Sequence, residues 1–131
     1  MEYEGQSLHC STLENNVTEL TFDLQNESVN KLDKNSLEEL NEVFKLLEKD
    51  PSVKGLLISS RKDSFIVGAD INQFLGIFQE PLYKLVQWVK EGQQVFSNLE
   101  NLNMPSVCAI NGFALGGGFE LCLACTYRVA S

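Results

Sequence analysis

The stretch Asn111-Gly112-Phe113-Ala114-Leu115-Gly116-Gly117-Gly118-Phe119-Glu120 limits what this chain can fold into more than any other. Adjacent glycines weaken a helix or strand interior by about 1 kcal/mol each, so a triplet belongs where backbone approaches something closely or takes positive φ. The apolar run Ser106-Val107-Cys108-Ala109-Ile110 precedes it and reads as a buried strand; a helical pattern from Gly117 to Cys125 follows. A glycine bend opening a helix presents N–H groups with no partner inside that helix, and the helix dipole strengthens them as donors to negative charge.

The negative charge can be a phosphate or an oxyanion that develops during a reaction. No Lys-Ser/Thr follows the glycines, as a phosphate-cradling P-loop requires, and the Gly-x-Gly-x-x-Gly pattern of a dinucleotide site is absent. Glu120 would repel a phosphate, but it is well placed as an acid or base beside a reacting carbonyl. The plainer alternative is a tight packing turn with Glu120 merely solvated.

A second bend of the same kind is Ile66-Val67-Gly68-Ala69-Asp70. It carries a glycine after an apolar run and leads into a short helical turn. In a parallel sheet the loops at the carboxyl ends of neighbouring strands converge, which is where ligands usually sit. One N–H from each bend would form an oxyanion hole, and each such donor is typically worth roughly 3–4 kcal/mol to a transition state. Taken alone, Gly-Ala-Asp also fits an ordinary turn.

The rest of the chain supplies the sheet. Gln6 to Leu13 and Asn16 to Leu24 read as two strands joined by a turn at Glu14-Asn15, followed by a polar loop from Gln25 to Lys34. Asn35 to Lys49 is a helix with Leu37, Leu40, Val43, Phe44 and Leu47 on one face; Asn35 or Ser36 caps it and Glu38-Glu39 suit its first turn. Lys54 to Ser59 is a strand covered on both faces. A longer helix is expected from Pro81, as its first residue, to Glu100, with Leu82, Leu85, Val86, Val89, Phe96 and Leu99 buried. Tyr127 to Ala130 begins a further strand. Alternating strands and helices predict an α/β fold with a mostly parallel sheet, and a chain that stops while entering a strand reads as the N-terminal part of a larger domain.

Composition removes several classes of function. Ten Lys and Arg against 18 Asp and Glu leave a net charge of −8 without a basic cluster, which argues against nucleic acid and against a polybasic membrane contact. Between Glu100 and Arg128 the only charge is Glu120, yet Pro105, Asn111 and the glycines cut this stretch far below the ~20 residues of a membrane span. It reads as buried interior. The polar, acidic start Met1-Glu2-Tyr3-Glu4-Gly5 is no secretory signal, so Cys10, Cys108, Cys122 and Cys125 are expected as reduced thiols in the cytoplasm. Cys122-x-x-Cys125 has no second Cys or His pair and reads as core packing rather than a metal site. His9, the sole histidine, gives no support to a nucleophilic couple.

Phe65-Ile66-Val67-Gly68-Ala69-Asp70-Ile71, paired about forty residues later with Asn111 to Leu121, resembles the crotonase (enoyl-CoA hydratase/isomerase) superfamily over essentially residues 1–131. With Ser28-Val29-Asn30-Lys31-Leu32-Asp33 and Leu99 to Pro105, the resemblance narrows to the N-terminal domain of multifunctional fatty-acid β-oxidation α subunits. It implies the N-terminal part of a crotonase-like ββα spiral. It also implies that the N–H groups of Ala69 and Gly117 form the oxyanion hole for an acyl-CoA thioester and that Glu120 is the first of two catalytic glutamates. Ala69, Asp70, Ile71 and Asn72 would run along the pantetheine and acyl thioester.

The implied reaction is addition of water to a trans-2-enoyl-CoA, with double-bond isomerisation, and needs neither metal nor cofactor. A fused dehydrogenase that uses NAD and a thiolase β subunit as partner are implied for a larger polypeptide only. No acid here matches the second glutamate, so residues 1–131 alone are expected to be inactive as a hydratase. A monofunctional isomerase and a non-catalytic acyl-CoA-binding module are the alternatives. Phe74-Leu75-Gly76-Ile77-Phe78 is a candidate gate or lining for an acyl pocket, Trp88 faces either a partner or the acyl channel, and Lys31, Arg61 and Lys62 are the nearest cations for CoA phosphates.

Overall fold

The computed structural model describes residues 1–131, with the side chains of Ile71 and Phe74 outside the described residues. A six-stranded sheet runs in chain order: β1 (Tyr3–Glu4), β2 (Leu8–Thr12), β3 (Val17–Phe22), β4 (Gly55–Ser60), β5 (Ser106–Ile110) and β6 (Tyr127–Ala130). The first three strands pair antiparallel and β3 to β6 pair parallel. The register aligns Cys10, Leu20, Ile58 and Cys108 across four neighbouring strands, and all are buried. That row is the floor of the core. The β2–β3 turn is a 3₁₀ turn at Glu14–Asn16, where Asn15 and Asn16 take the positive φ that asparagine tolerates.

Parallel strands need crossovers, and four helices provide them: α1 (Lys34–Glu48), α2 (Ile71–Ile77), α3 (Leu82–Glu100) and α4 (Gly117–Ala124). α1 buries Leu40, Val43, Phe44 and Leu47, as its spacing predicts. Its cap differs from expectation. Asp33 is the N-cap, accepting from the Ser36 N–H at 2.7 Å, while the Ser36 hydroxyl accepts from the Asp33 N–H at 2.8 Å. Ser36 is therefore the partner in a reciprocal capping box, and Asn35 is already helical.

Nor does Glu39 act in the helix's first turn. It is buried, and its carboxylate accepts N–H groups from Gln6 at 2.7 Å, Ser7 at 2.9 Å and Leu8 at 3.2 Å. This pins the β1–β2 turn to α1.

Two expectations about α3 are corrected. Pro81 is the residue before the helix, with φ −55° and ψ 149°, rather than its first helical residue. Of the face expected to be buried, Leu99 is covered, whereas Leu82 (74% exposed), Val86 and Val89 are exposed; Val95 is buried instead. α3 packs on α1 and α4, with its buried residues Val95 and Leu99 near its C-terminal end, and its N-terminal turns are largely exposed.

The stretch expected as wholly buried interior is likewise split. Cys108, Leu121, Cys122 and Cys125 are buried, while Phe113, Leu115, Phe119, Leu123 and Tyr127 are exposed, because the described residues place no layer over that side of α4 and β6. Cys122-x-x-Cys125 belongs to the core, with the Cys122 and Cys125 carbonyls accepting from the Arg128 guanidinium at 3.1 Å each. Among the described residues no group of His, Cys, Asp or Glu is arranged to hold a metal ion, and no helix is long and apolar enough to cross a membrane.

Candidate active site

The two glycine bends meet at the carboxyl end of the parallel strands. Ile66 bridges Ala114 and Ala69 bridges Leu32, each in the parallel sense. The Ile66 N–H donates to the Phe113 carbonyl at 3.1 Å and the Ile66 carbonyl accepts from the Leu115 N–H at 3.0 Å, which locks one bend to the other. On the far side the Leu32 N–H donates to the Gly68 carbonyl at 2.7 Å and the Asp70 N–H donates to the Leu32 carbonyl at 3.1 Å. Both neighbours of Ala69 are thus tied to Leu32, so the N–H of Ala69 itself points away from it.

Glycine is required at three points of this junction. Gly68 (φ 113°) and Gly116 (φ 52°) lie in the region that side chains rarely adopt, and a Cβ on Gly116 would stand 3.9 Å from the Gly68 Cα. At Gly118 a Cβ would overlap the Ile66 carbonyl oxygen and lie 2.8 Å from the Ile66 Cβ. Gly118 therefore lets α4 start against the Ile66 backbone.

Of the backbone donors this packing leaves over, two belong to residues that line one cavity. Among the described residues, the N–H groups of Ala69 and Gly117 have no hydrogen-bond partner, whereas the Gly118 N–H donates to Leu115 and the Glu120 N–H to Gly116. Ala69, Gly117 and Glu120 line one cavity of about 280 Å³. Its other walls are mostly apolar: Leu32 from the loop before α1, Leu37 from α1, and Trp88, Val89 and Phe96 from α3. A second cavity of about 370 Å³ between α1 and α3 shares Leu37 and Trp88 and has a polar rim that includes Lys34, Asn41 and Gln94.

The remaining residues singled out by sequence divide. Asp70 caps α2, accepting the N–H groups of Asn72 at 2.9 Å and Gln73 at 3.4 Å, and Asn72 is exposed. Asp70 and Asn72 follow the Ala69 donor without lining the cavity, and the Ile71 side chain lies outside the described residues. Leu75 and Phe78 are exposed and form no part of its wall, and the Phe74 side chain is outside the described residues. Trp88 is a wall. Lys62 is engaged with Asp23 at 2.9 Å and with the Leu24 carbonyl at 2.9 Å, and Lys31 pairs with Glu27 at 3.7 Å. Arg61 is exposed beside His9 and Glu19, away from the cavity.

Sequence reasoning passed over Leu32, Leu37, Gly92 and Phe96 as walls. The one available signal was Leu32, which with Val29 is one of two apolar residues in a polar loop and is held there by Asn30. Asn30 is buried; its amide donates to the Phe65 carbonyl at 3.0 Å and to Ser60 at 2.8 Å.

Sheet, crossovers and paired bends define an α/β domain of the crotonase type. Solved structures agree: an enoyl-CoA hydratase from Bacillus anthracis superposes with a TM-score of 0.85 at 26% identity over 95% of this chain and 47% of that one. An enoyl-CoA hydratase from Shewanella pealeana shares the fold, with a TM-score of 0.88 at 20% identity over 95% of this chain and 46% of that one. The enoyl-CoA hydratase/isomerase family model matches residues 12–131, and the chain belongs to that family. Curated relatives named fatty acid oxidation complex subunit alpha are 49% identical over 98% of the chain in Pseudomonas syringae pv. syringae and 48% identical over all of it in Pseudomonas entomophila. The chain spans 18% of the length of each of these relatives.

Proposed function

We propose that these residues bind the acyl thioester of a fatty acyl-CoA and polarise its carbonyl, as the first half of an enoyl-CoA hydratase/isomerase site in fatty-acid oxidation. The observation that carries this reading is the pair of unpartnered N–H groups, Ala69 and Gly117, on one apolar cavity with Glu120.

A thioester oxygen placed between the two donors gains charge as the reaction proceeds. Fixed backbone donors stabilise that charge without having to reorganise, an effect of roughly 3–4 kcal/mol per donor. Gly117 also opens α4, so the helix dipole adds to its N–H.

Glu120 then acts as acid and base. The oxygen of a bound water forms a bond to the β-carbon of a trans-2-enoyl-CoA, the π electrons move toward the thioester, and a proton reaches the α-carbon. The resemblance calls for a second glutamate to hold that water. No other acid here matches it, and Asp70 is committed to capping α2. On this reading residues 1–131 alone bind and polarise the thioester without hydrating it, and hydration belongs to a protein that supplies the second carboxylate.

The relatives' name, subunit alpha of a fatty acid oxidation complex, supports a partner subunit; a thiolase β subunit, an NAD-using dehydrogenase in the same polypeptide and a cytoplasmic setting complete the proposal. The test is crotonyl-CoA hydration followed by loss of the enoyl absorbance. In a protein with both carboxylates, Glu120→Gln is expected to cut turnover by about 10²–10⁴-fold; activity within a few-fold of the parent would refute the role of Glu120. The 131-residue chain should bind butyryl-CoA yet leave crotonyl-CoA unhydrated, and hydration by it would overturn the two-carboxylate reading.

A further inference from the structure

α3 presents Trp88, Val89, Gly92, Gln93 and Phe96 to the cavity, which are the positions that share one face of a helix. Along that face the large side chains of Trp88 and Phe96 stand four residues before and four after Gly92. The result is a notch at Gly92 between two aromatic walls that stand about two turns apart along the helix.

Neither of the usual reasons for a glycine applies here. Gly92 does not have positive φ, and a Cβ built on it meets nothing within 4 Å. Mid-helix glycine destabilises relative to alanine, so the fold alone would favour a side chain at this position. The empty space it leaves opens onto the cavity that holds Ala69, Gly117 and Glu120.

We propose that Gly92 is a specificity-determining residue: the notch between Trp88 and Phe96 receives the distal part of an aliphatic acyl chain, so that the cavity takes medium and long chains as well as short ones. This rests on the reading that the cavity binds an acyl thioester. Short chains end near the donors at Ala69 and Gly117 and do not need the notch, whereas a longer chain must lie against α3. A side chain at this position fills volume that only the longer chain uses, and each methylene displaced from an apolar pocket changes affinity by about ten-fold or more.

The experiment compares the complete protein with Gly92→Leu and with the smaller Gly92→Ala, titrating butyryl-CoA and dodecanoyl-CoA and following thermal unfolding. Gly92→Leu is expected to raise the dodecanoyl-CoA dissociation constant at least ten-fold more than that of butyryl-CoA. Gly92→Ala should move the ratio in the same direction by less, with no fall in the unfolding midpoint. Equal losses for both ligands, no change in the ratio, or a destabilised Gly92→Ala would each overturn the proposal while leaving the thioester site standing. If the unsubstituted protein bound neither acyl-CoA, the thioester reading would fail and the notch with it.

Discussion

The two sides of the sheet's crossovers are built to different standards. Around β1 to β4 and α1 the apolar faces meet each other: Leu8, Leu20, Phe22, Leu40, Phe44 and Ile58 are all at most 1% exposed. Around α2, the front of α3, α4 and β6 the same kinds of residue lie open, with Phe78 at 57%, Leu82 at 74% and Phe113 at 71%. Exposed apolar side chains of this number are the raw material of a face that can be covered by further protein or ligand. The contrast shows that an apolar stripe in a sequence identifies a face able to be buried, not one that is buried by its own neighbours.

The closed side should be fragile to single polar changes. Glu39→Ala leaves the N–H groups of Gln6, Ser7 and Leu8 without their shared carboxylate, and removal of such a buried charged acceptor is expected to cost about 3–5 kcal/mol in urea unfolding. A loss below about 1 kcal/mol would mean that the β1–β2 turn is held by other contacts. At the seam between the regions, Gly118→Ala forces a Cβ into the Ile66 backbone, with an expected loss of about 2–3 kcal/mol despite alanine's better helix propensity.

Alkali probes the closed side more gently. Burial pushes the Cys10 thiol up to about 12, above the ordinary value near 8.5 for an exposed cysteine. The unfolded chain therefore releases its proton first. The stabilising difference is fully present below about pH 8.5 and fades as pH rises toward the folded value, by about 2 kcal/mol at about pH 10. Cys10→Ala should flatten that slope in unfolding curves taken from neutral to alkaline pH. Smallest of all, Leu82→Gln on the open side should change stability by less than about 0.5 kcal/mol, because no packing is lost. A larger loss would show that the open face is covered in solution.

What the sequence disclosed follows the same division. The span of β5, the strand at Tyr127–Ala130 and the approach of two glycine bends were legible, because short apolar runs and glycines at bends report local backbone demands. The side chains that serve distant backbone were not. Nothing in Ser36-Leu37-Glu38-Glu39 says that Glu39 reaches a turn more than thirty residues earlier, and Asp33 competes with Ser36 for the cap until the loop's path is known. The exposure of Leu82 and Val86 was also illegible, since helical spacing is identical whether or not a layer lies on top. Gly92 gave no signal as a cavity wall, because a lone helical glycine acquires meaning only from the space beside it.

The most direct test of the thioester site follows the backbone amide resonances of Ala69 and Gly117 during a butyryl-CoA titration. Both protons should move downfield along a single saturation curve as they donate to one carbonyl oxygen. Amides that stay in place while the Trp88 indole and other cavity walls respond would contradict it.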